Sequence, residues 1–371
     1  MKKKAAVGLV LAVLSFPSFS DEALTFTDAE KRAILAHGPW PTPITTDKSN
    51  RVSGKREAIE LGERLFFDQR LSGNGRFSCG SCHVPERNWT DNLTRGRAAG
   101  EVDRNTPTLM NIRLGRWFGW DGASDSIWSQ SMRPILDARE LGATVRHVAE
   151  LMRKDEQLSC RYRRAFGAAP SASDDEAVLV DVAKALAAFQ ETFETPPTPF
   201  DGFRNALARG EKVKAGMYSV AAQRGLKVFV GRGTCSTCHS GPNFSNGEFA
   251  DNGFPKTQAG RSEGVKRVSA SRFNLLGKYN DDPQAAAREA VRRSAEPAGE
   301  PGAFKVPTLR HLFLTAPYGH RGEVASLGDA VKHYGQRFEL SAAEQSDLVV
   351  FLESLSTFNN PWRPEDLAVC R

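Results

Sequence analysis

Two copies of one short cysteine pattern carry the chemistry of this sequence. Cys79–His83 spells CGSCH, and Cys235–His239 spells CSTCH. The pattern C-x-x-C-H is typical of c-type haem attachment, because its two thiols can bond the two vinyl groups of one porphyrin while the histidine supplies an axial nitrogen to the iron. We therefore predict two covalently bound haems. The residues that would hold them are Cys79, Cys82, His83, Cys235, Cys238 and His239.

Three other uses of paired cysteines compete with this prediction: a thioredoxin-like redox pair, a zinc site and a structural disulfide. Zinc ribbons separate their two pairs by roughly 15 to 20 residues, whereas Cys82 and Cys235 are 153 residues apart. A redox pair needs no following histidine, and here a histidine follows both pairs. These contrasts favour haem attachment.

Two haems need two folded units, and the length allows them. The chain has 371 residues, of which 40% are hydrophobic and 25% charged, and this length predicts two domains. Three lysines at positions 2–4 precede an apolar run from Ala5 to Phe16, so we predict a signal peptide at residues 1–20 and export to the periplasm. No later stretch is long and apolar enough to predict a membrane span.

The net charge gives no support to a nucleic-acid partner. The whole chain has a formal charge of +6, but three of its lysines lie in the predicted signal peptide, so 47 basic and 44 acidic residues remain after cleavage. A nearly balanced surface lacks the strong positive charge that nucleic-acid binding proteins use.

Hydrophobic periodicity predicts a mainly α fold with long loops and little β structure. We predict a helix over residues 57–67. A capping box of Ser173 with Glu176 should begin a second helix, whose apolar stripe reaches Phe193. The proline-rich run Thr195–Pro199 cannot continue that helix. We therefore place the N-terminal haem domain at 21–198 and the C-terminal one at 199–371.

The sequence signals for helices are weaker in the C-terminal half of the chain. Ser341 with Glu344 forms another capping-box pattern, and a shorter helix should begin near Ser326. Residues 251–310 look largely irregular. Two cysteines lie outside the haem motifs, Cys160 and Cys370, and in an oxidising compartment such thiols are bridged or buried. A Cys160–Cys370 disulfide and two separate thiols both remain open.

The supply of axial ligands separates electron carriers from peroxidases. A carrier fills both axial positions of its iron, whereas a peroxidase leaves one face open. No histidine lies between His83 and His147, which favours an open first haem. No methionine follows the second motif. The candidate ligands there are His311, His320, His333, Tyr318 and Tyr334.

Helical geometry separates the adjacent candidates His333 and Tyr334. Leu327, Val331 and Tyr334 share one helix face, so His333 should point elsewhere. A tyrosine on an apolar stripe is also a common core residue. From the residues alone, Tyr334 is therefore either a ligand or a packing residue.

Further motifs resemble the di-haem cytochrome c peroxidase and MauG superfamily, from about Glu57 to Leu355. The first half has RNTPT at 104–108 and WDG at 120–122, followed by Gln130, Pro134 and Glu140 in the family's order. The second half has FKVPTLR at 304–310 and TAPYGH at 315–320. The next residue, Arg321, differs from the family's usual aspartate.

The resemblance implies two cytochrome c-like haem domains packed around an inter-haem interface, and it assigns roles to several of these residues. It implies a peroxide-reactive first haem, with Gln130, Pro134 and Glu140 in the catalytic site and Glu140 as the acid and base. It implies that Trp120 lies between the haems. It also implies an inter-haem calcium ion. The calcium ligands would be Asn105, Thr315 and Pro317.

Two departures from the peroxidase branch bear on function. The loop histidine that caps the first haem in many of those enzymes is absent, and Tyr334 stands where they have methionine. A tyrosine there resembles MauG and the MbnH-like, methanobactin-associated group, and the segment 117–128 looks closer to the MbnH-like group than to MauG proper. This resemblance makes Tyr334 the expected ligand of the second iron.

The function that the resemblance implies is that of a periplasmic di-haem peroxidase-type oxidoreductase. It would use hydrogen peroxide to form a di-iron(IV) state and then oxidise a partner protein, in the MbnH-like case a tryptophan of a copper-binding partner. One alternative is a cytochrome c peroxidase that draws electrons from small cytochromes. An alternative of another class is a non-catalytic di-haem electron carrier.

Overall fold

The computed structural model is mainly helical, with long loops and two short strands. It describes residues 24–357 apart from 252, 254–258, 283, 285, 287–288 and 290–300, and beyond these residues 362, 364 and 368–370. The α-helices of this part are α1 Asp28–Leu35, α2 Arg56–Phe66, α3 Cys79–Cys82, α4 Ile127–Leu136, α5 Val145–Lys154, α6 Glu156–Phe166, α7 Asp175–Gln190, α8 Pro199–Arg209, α9 Lys212–Gly216, α10 Val220–Val230, α11 Arg261–Ala270, α12 Leu327–Arg337 and α13 Ala342–Glu353. The prediction of a mainly α fold is confirmed.

Two hydrophobic clusters form the core. The first takes its buried residues from Val52 to Phe193, and α7 runs through its centre. The second takes most of its residues from Phe200 to Leu355. It also includes Phe26 and Ile34, so α1 packs with the C-terminal half although it begins the described chain. The domain boundary at residue 198 stays a prediction.

The helix that precedes each haem motif packs closely on a later helix. In the first cluster α2 crosses α7 at Gly62, where a Cβ atom would lie 2.0 Å from the carbonyl oxygen of Ala185. In the second cluster α10 crosses α13 at Gly225, where a Cβ atom would lie 2.0 Å from the carbonyl oxygen of Asp347. Both crossings need glycine because any side chain would collide with backbone.

Most of the predicted helices are confirmed. The helix predicted at 57–67 is α2. Ser326 caps α12, and Ser341 forms the predicted capping box with Glu344 at the start of α13. The proline-rich run does separate two helices, because α7 ends at Gln190 and Pro199 begins α8.

One detail of the helix prediction is wrong. Asp174 caps α7 in place of Ser173, because its carboxylate accepts a 2.7 Å hydrogen bond from the Ala177 amide. Glu176 instead accepts a hydrogen bond from the Tyr279 hydroxyl at 2.6 Å. The stretch 251–310, expected to be largely irregular, also contains α11, whose apolar residues do not form a stripe that the sequence reveals.

The two strands lie in the second half of the chain, beside the predicted site. Strand β1, Phe249–Asp251, pairs antiparallel with β2, Ala303–Lys305, with Ala250 opposite Phe304. The amide of Lys305 also donates to the carbonyl oxygen of Trp120 at 2.8 Å. The ribbon therefore fixes the Trp120 loop against the second half, and the expectation of little β structure is confirmed.

The last residues of the chain are tied to the first cluster. A disulfide joins Cys160 in α6 to Cys370, and the Cys370 amide donates to the Gln157 side chain at 2.8 Å. Of the two outcomes left open by the sequence, the bridge is the one observed. The predicted signal peptide lies outside the described residues. No helix in the described part of the chain is long and apolar enough to cross a membrane.

Candidate di-haem site

Both haem-motif histidines have the same hydrogen-bonding arrangement. His83 follows α3, and its Nδ1–H donates to the carbonyl oxygen of Trp89 at 2.9 Å. His239 follows the 3-10 turn Cys235–Thr237, and its Nδ1–H donates to the carbonyl oxygen of Phe244 at 3.0 Å. Because a carbonyl only accepts, Nδ1 must carry the proton in each ring, which makes Nε2 the lone-pair nitrogen. Each motif thus presents a histidine that fits an axial ligand.

The protonation of the motif residues agrees with this arrangement. Burial lowers the pKa of His83 and of His239, which favours the neutral imidazole that binds metals. Burial raises the pKa of the Cys79 thiol to about 12 and that of Cys235 to about 11. A redox CxxC pair needs a lowered thiol pKa. The described residues contain no group of three or more His, Cys, Asp or Glu side chains placed to hold a metal.

A cavity of about 710 Å³ opens beside the second motif. Its volume lies in the range of cofactor pockets, and its lining is mostly apolar. It is lined by all three binding residues of the second motif, by Trp120 and by Tyr334. The residues present therefore fit a haem at this position, with His239 and Tyr334 on the walls.

Tyr334 enters the cavity from α12. Leu327 and Val331 line the cavity on the same helix face, as the helical geometry predicts. Tyr334 is 41% exposed, but its side chain faces the cavity, and burial raises the pKa of its phenol to about 12. His333 lies instead near Gly253, with its Nε2 3.3 Å from the position a Cβ would take there.

The remaining candidates are less suited to the second iron. The Tyr318 hydroxyl donates to the carbonyl oxygen of Leu312 at 3.1 Å. His311 is fully buried and does not line the cavity. His320 does line it, but its ring stacks on Phe304 with centroids 3.7 Å apart, and its Nδ1 lies 3.3 Å from the Glu323 carboxylate. Tyr334 is the best-placed of the five candidates.

The residues expected over the first haem lie on and just beyond α4. Gln130 and Pro134 are one helical turn apart in α4, and the Gln130 side-chain oxygen accepts from Arg133 at 3.2 Å. Burial and the negative charge of Asp137 raise the pKa of Glu140. The Glu140 charge in turn helps to raise the pKa of Cys79 and Cys82, which places its carboxylate near the first motif.

Trp120 and the expected calcium residues meet in the same cavity. The Trp120 indole N–H donates to the carbonyl oxygen of Asn105 at 2.8 Å, and the Asn105 amide donates to the carbonyl oxygen of His320 at 3.0 Å. Thr315 and Pro317 also line the cavity. The structure therefore brings Trp120 and all three residues together between the halves.

An internal repeat was missed in the sequence analysis. Residues 107–134 correspond to residues numbered 200 higher, with PTL at both 107–109 and 307–309. Asn111 and His311 share the same left-handed backbone conformation. Phe118 bridges to Ser124 as Tyr318 bridges to Val324. A search of the sequence against itself would have found this signal. In this repeat Pro134 corresponds to Tyr334.

Two C-x-x-C-H motifs on helical clusters that meet at a shared cavity define a di-haem c-type protein. Comparison with known proteins agrees with this class. Residues 56–209 match the di-haem cytochrome c peroxidase family. The methylamine utilization protein MauG of Methylorubrum extorquens is 32% identical over 91% of this chain and 89% of its own length. The cytochrome c551 peroxidase of Nitrosomonas europaea is 31% identical over 81% of this chain and 80% of its own length.

Solved structures share the fold. A MauG-like protein associated with microbial copper homeostasis superposes with a TM-score of 0.64 at 24% identity, covering 88% of this chain and 100% of that protein. The diheme peroxidase BthA from Burkholderia thailandensis has the same TM-score at 18% identity, covering 86% and 88%. The chain belongs to the di-haem cytochrome c peroxidase and MauG family, and it is a hydrogen peroxide-dependent di-haem oxidoreductase with two c-type haems.

Proposed function

We propose that this protein is a periplasmic di-haem enzyme that reduces hydrogen peroxide at its first haem site, holds the oxidising equivalents across both irons and withdraws electrons from a partner protein. One contrast carries the proposal. Where the first half has Pro134, which offers no metal ligand, the second half has Tyr334 on the cavity wall. The two sites are thereby specialised, one for peroxide and one for storage of charge.

The first site supplies the acid–base chemistry. When bound, the first haem supplies an iron that accepts peroxide and cleaves its O–O bond. Glu140 takes a proton from the near oxygen of peroxide and returns it to the leaving hydroxyl. Its raised pKa suits this exchange, because a carboxyl that both accepts and releases a proton works best with a pKa close to the working pH. The Gln130 amide orients the same ligand by a hydrogen bond.

The second site holds charge. Tyr334 and His239 are its proposed iron ligands, and a phenolate ligand stabilises an oxidised iron more than a neutral thioether does. The surrounding protein alone keeps the phenol protonated, since its pKa is raised to about 12. A bound iron would supply the positive charge that favours loss of the phenol proton of Tyr334.

The region between the sites couples them. Trp120 is held by its hydrogen bond to Asn105 and by the Lys305 amide on its carbonyl oxygen, so its indole has one fixed position in the cavity wall. We assign it the exchange of electrons between the haems. Asn105, Thr315 and Pro317 offer oxygen ligands in the same wall, and we propose that they hold a calcium ion with water completing the shell.

The proposed substrate is a tryptophan on a copper-binding partner protein, and its oxidation product is kynurenine. One of the similar structures is described as a MauG-like protein associated with microbial copper homeostasis. The similarity of segment 117–128 to the MbnH-like group supports the same substrate. Export follows from the basic and apolar pattern of residues 1–20, and the partner would meet this enzyme in the periplasm.

A second candidate function is that of a cytochrome c peroxidase, which removes peroxide with electrons from small cytochromes. The 31% identity to a cytochrome c551 peroxidase favours it. That enzyme class would place methionine at the second iron, and this chain has none after the second motif. A non-catalytic carrier is less suited, because Pro134 cannot complete a six-coordinate first haem.

Redox titration of a Tyr334→Met variant tests the proposal. Methionine ligation raises a haem potential, so the second haem of the variant should be reduced at a clearly higher potential than that of the wild type. Tyr318→Phe is the matched control, because Tyr318 lines the same cavity but its hydroxyl donates to Leu312. Equal potentials in the wild type and Tyr334→Met would remove Tyr334 from the second iron.

A further inference from the structure

A buried carboxylate beside the first haem motif is replaced by a neutral amide beside the second. Asp91 lies eight residues after His83 and is only 4% exposed. Its Oδ1 accepts a hydrogen bond from the Leu93 amide at 2.9 Å, and its Oδ2 accepts one from the Thr106 hydroxyl at 2.7 Å. A donor at each oxygen suits the ionised carboxylate, because that form can only accept.

This carboxylate lacks the cation that buried charges normally have. Among the described residues, no Lys, Arg or His side chain forms an ion pair with Asp91. The exposed Arg87 donates to the backbone carbonyl oxygen of Asp91 at 3.0 Å and not to its carboxylate. A buried charge is stable when an opposite charge compensates it. In the described part of the chain, side chains do not supply that compensation.

The charge of Asp91 acts on the first haem motif. Burial lowers the pKa of His83, and the hydrogen bond to Trp89 and the Asp91 charge oppose this effect. Burial and, after it, the Asp91 charge raise the pKa of the Cys82 thiol to about 11. The carboxylate therefore lies close enough to affect the residues that would bind the porphyrin and the iron. A negative charge that favours a positive imidazole ring also favours positive charge on an iron bound to it.

The corresponding position in the second half carries a neutral side chain. The carbonyl groups of Trp89 and Phe244 accept the Nδ1–H of the two motif histidines. Two residues further on stand Asp91 in the first half and Asn246 in the second. Each of these side chains accepts, through Oδ1, a hydrogen bond from the amide two residues later, at 2.9 Å and 3.0 Å. The two positions share this backbone contact and differ in charge.

Two further differences separate the surroundings of the two positions. Thr106, whose hydroxyl binds the Asp91 carboxylate, stands where the second half has Val306. The loop after the second motif has a buried cation, Arg310, but this guanidinium donates to both carboxylate oxygens of Asp201 at 2.9 Å. The charges of that pair cancel. The uncompensated charge of Asp91 thus distinguishes the first site from the second.

We propose that Asp91 supplies the negative counter-charge for the iron of the first haem and stabilises that iron when it is oxidised. The inference deepens the proposed function, on which it rests for the role of the first site. Iron gains positive charge on oxidation, so a fixed negative charge nearby lowers its potential. The two halves would then stabilise oxidised iron by different groups, a buried carboxylate in the first and the Tyr334 phenolate in the second.

Redox titration of the Asp91→Asn holoprotein tests the counter-charge. The amide has nearly the same shape and can still accept from the Leu93 amide, so the variant removes the charge and keeps this hydrogen bond. Reduction of the first haem should become more favourable by at least about tenfold, which is about 59 mV for a one-electron couple. Electron paramagnetic resonance spectra recorded during the titration would follow each ferric iron. An unchanged potential of the first haem would overturn the proposal.

The Asn246→Asp variant is the matched change in the other half. It adds a carboxylate at the corresponding position, so the second haem should become harder to reduce. The shift should be smaller than that of Asp91→Asn, because Asn246 is exposed on the cavity wall and solvent screens its charge. If Asp91→Asn does not fold, this variant carries the test alone. A second-haem potential that stays the same or rises would then overturn the proposal.

The Asp91→Glu variant separates the charge from a structural role. It keeps the negative charge, while its longer side chain disturbs the contacts with Leu93 and Thr106. A first-haem potential close to that of the wild type would support the counter-charge. A rise equal to that of Asp91→Asn would assign the effect to the contacts and overturn the proposal.

The proposed calcium ion is another cation that Asp91 could serve, because the Asn105 side chain donates to the carbonyl oxygen of Leu93 at 2.8 Å. The titrations would therefore be repeated after treatment with a calcium chelator. A difference between the wild type and Asp91→Asn that persists supports the first iron as the partner, and one that disappears overturns the proposal. A wild type that does not react with peroxide would instead refute the proposed function, whatever the titrations show.

Discussion

The two haem-binding halves are built on one plan and differ at a few corresponding side chains. Each has a helix with a buried glycine before its C-x-x-C-H motif, a histidine whose Nδ1–H donates to a backbone carbonyl, and a serine-capped helix at the end of the repeat. Within the repeat, Gln130 corresponds to Ala330 and Pro134 to Tyr334. The shared architecture suits the binding of two haems, and in the proposed function the differing side chains give the two haem sites different roles.

The difference at position 134 is the largest of these. A helix that reaches over a haem can present a ligand from this position, as we propose for Tyr334, or withhold one. In the proposed function, Pro134 withholds a ligand, which would leave the first iron open to peroxide. Trp120, which corresponds to His320 and lines the cavity, is the residue that we propose to couple the two sites.

A Pro134→Met variant should remove the proposed difference between the open first haem site and the Tyr334-ligated second site. Methionine at this position should ligate the first iron, so both haems should become six-coordinate and the fast reaction with peroxide should be lost. Optical and electron paramagnetic resonance spectra would report the coordination, and stopped-flow mixing would report the rate. Pro134→Ala is the control, because it removes the ring without adding a ligand, and it should keep the reaction. A first haem that stays open in Pro134→Met would contradict the correspondence with Tyr334.

The Glu140→Gln variant removes the acid and base from the first site alone. General acid–base catalysis contributes about 10²- to 10⁴-fold, so peroxide cleavage should slow by at least about a hundredfold. Both haems should remain attached, because Glu140 belongs to neither motif. The exposed Glu101 offers a control, and Glu101→Gln should react at the wild-type rate. Unchanged kinetics in Glu140→Gln would exclude this carboxylate from the mechanism.

The pH dependence should sharpen the assignment of Glu140. Its pKa is raised by burial and by Asp137, and it must be ionised to accept the first proton. The rate of reaction with peroxide should therefore be full above the raised pKa and fall about tenfold per pH unit below it. The Asp137→Asn substitution should move the fall in rate to lower pH, since it removes a negative charge that raises the pKa of Glu140. A fall in rate at the same pH in this variant would indicate that another group titrates.

The two glycine crossings predict a smaller effect that is common to both halves. Gly62→Ala and Gly225→Ala each place a methyl group 2.0 Å from a carbonyl oxygen, and overpacking of this kind costs about 1–3 kcal/mol. Thermal unfolding would measure the loss. Gly202→Ala in α8 is the control, because nothing lies within 4 Å of the position that a Cβ atom would take there, and it should not destabilise the protein. Destabilisation by only one of the two variants would show that the shared plan does not extend to these crossings.

Much of the fold could be predicted from the sequence because its signals are local. The caps at Ser326 and Ser341 and the stripe of α2 depend on neighbouring residues alone. The Asp174 cap was missed because Ser173 and Asp174 are both good caps, and the competing contact of Glu176 with Tyr279 comes from a distant loop. Helix α11 was missed since it packs through long-range contacts and carries a weak apolar pattern.

The candidate site was predictable to a similar degree. The haem motifs and the face of Tyr334 follow from spacing. The hydrogen bond between Trp120 and Asn105 and the stack of His320 on Phe304 join residues distant in the chain, so only the structure shows them.

The most direct test of the claim that the two haem sites have different roles is Mössbauer spectroscopy of the ⁵⁷Fe-labelled holoprotein after one equivalent of hydrogen peroxide. Both irons should be oxidised beyond the ferric state, because Tyr334 would stabilise the second iron while peroxide reacts at the first. Oxidation confined to the first iron, with the second left ferric, would contradict the account.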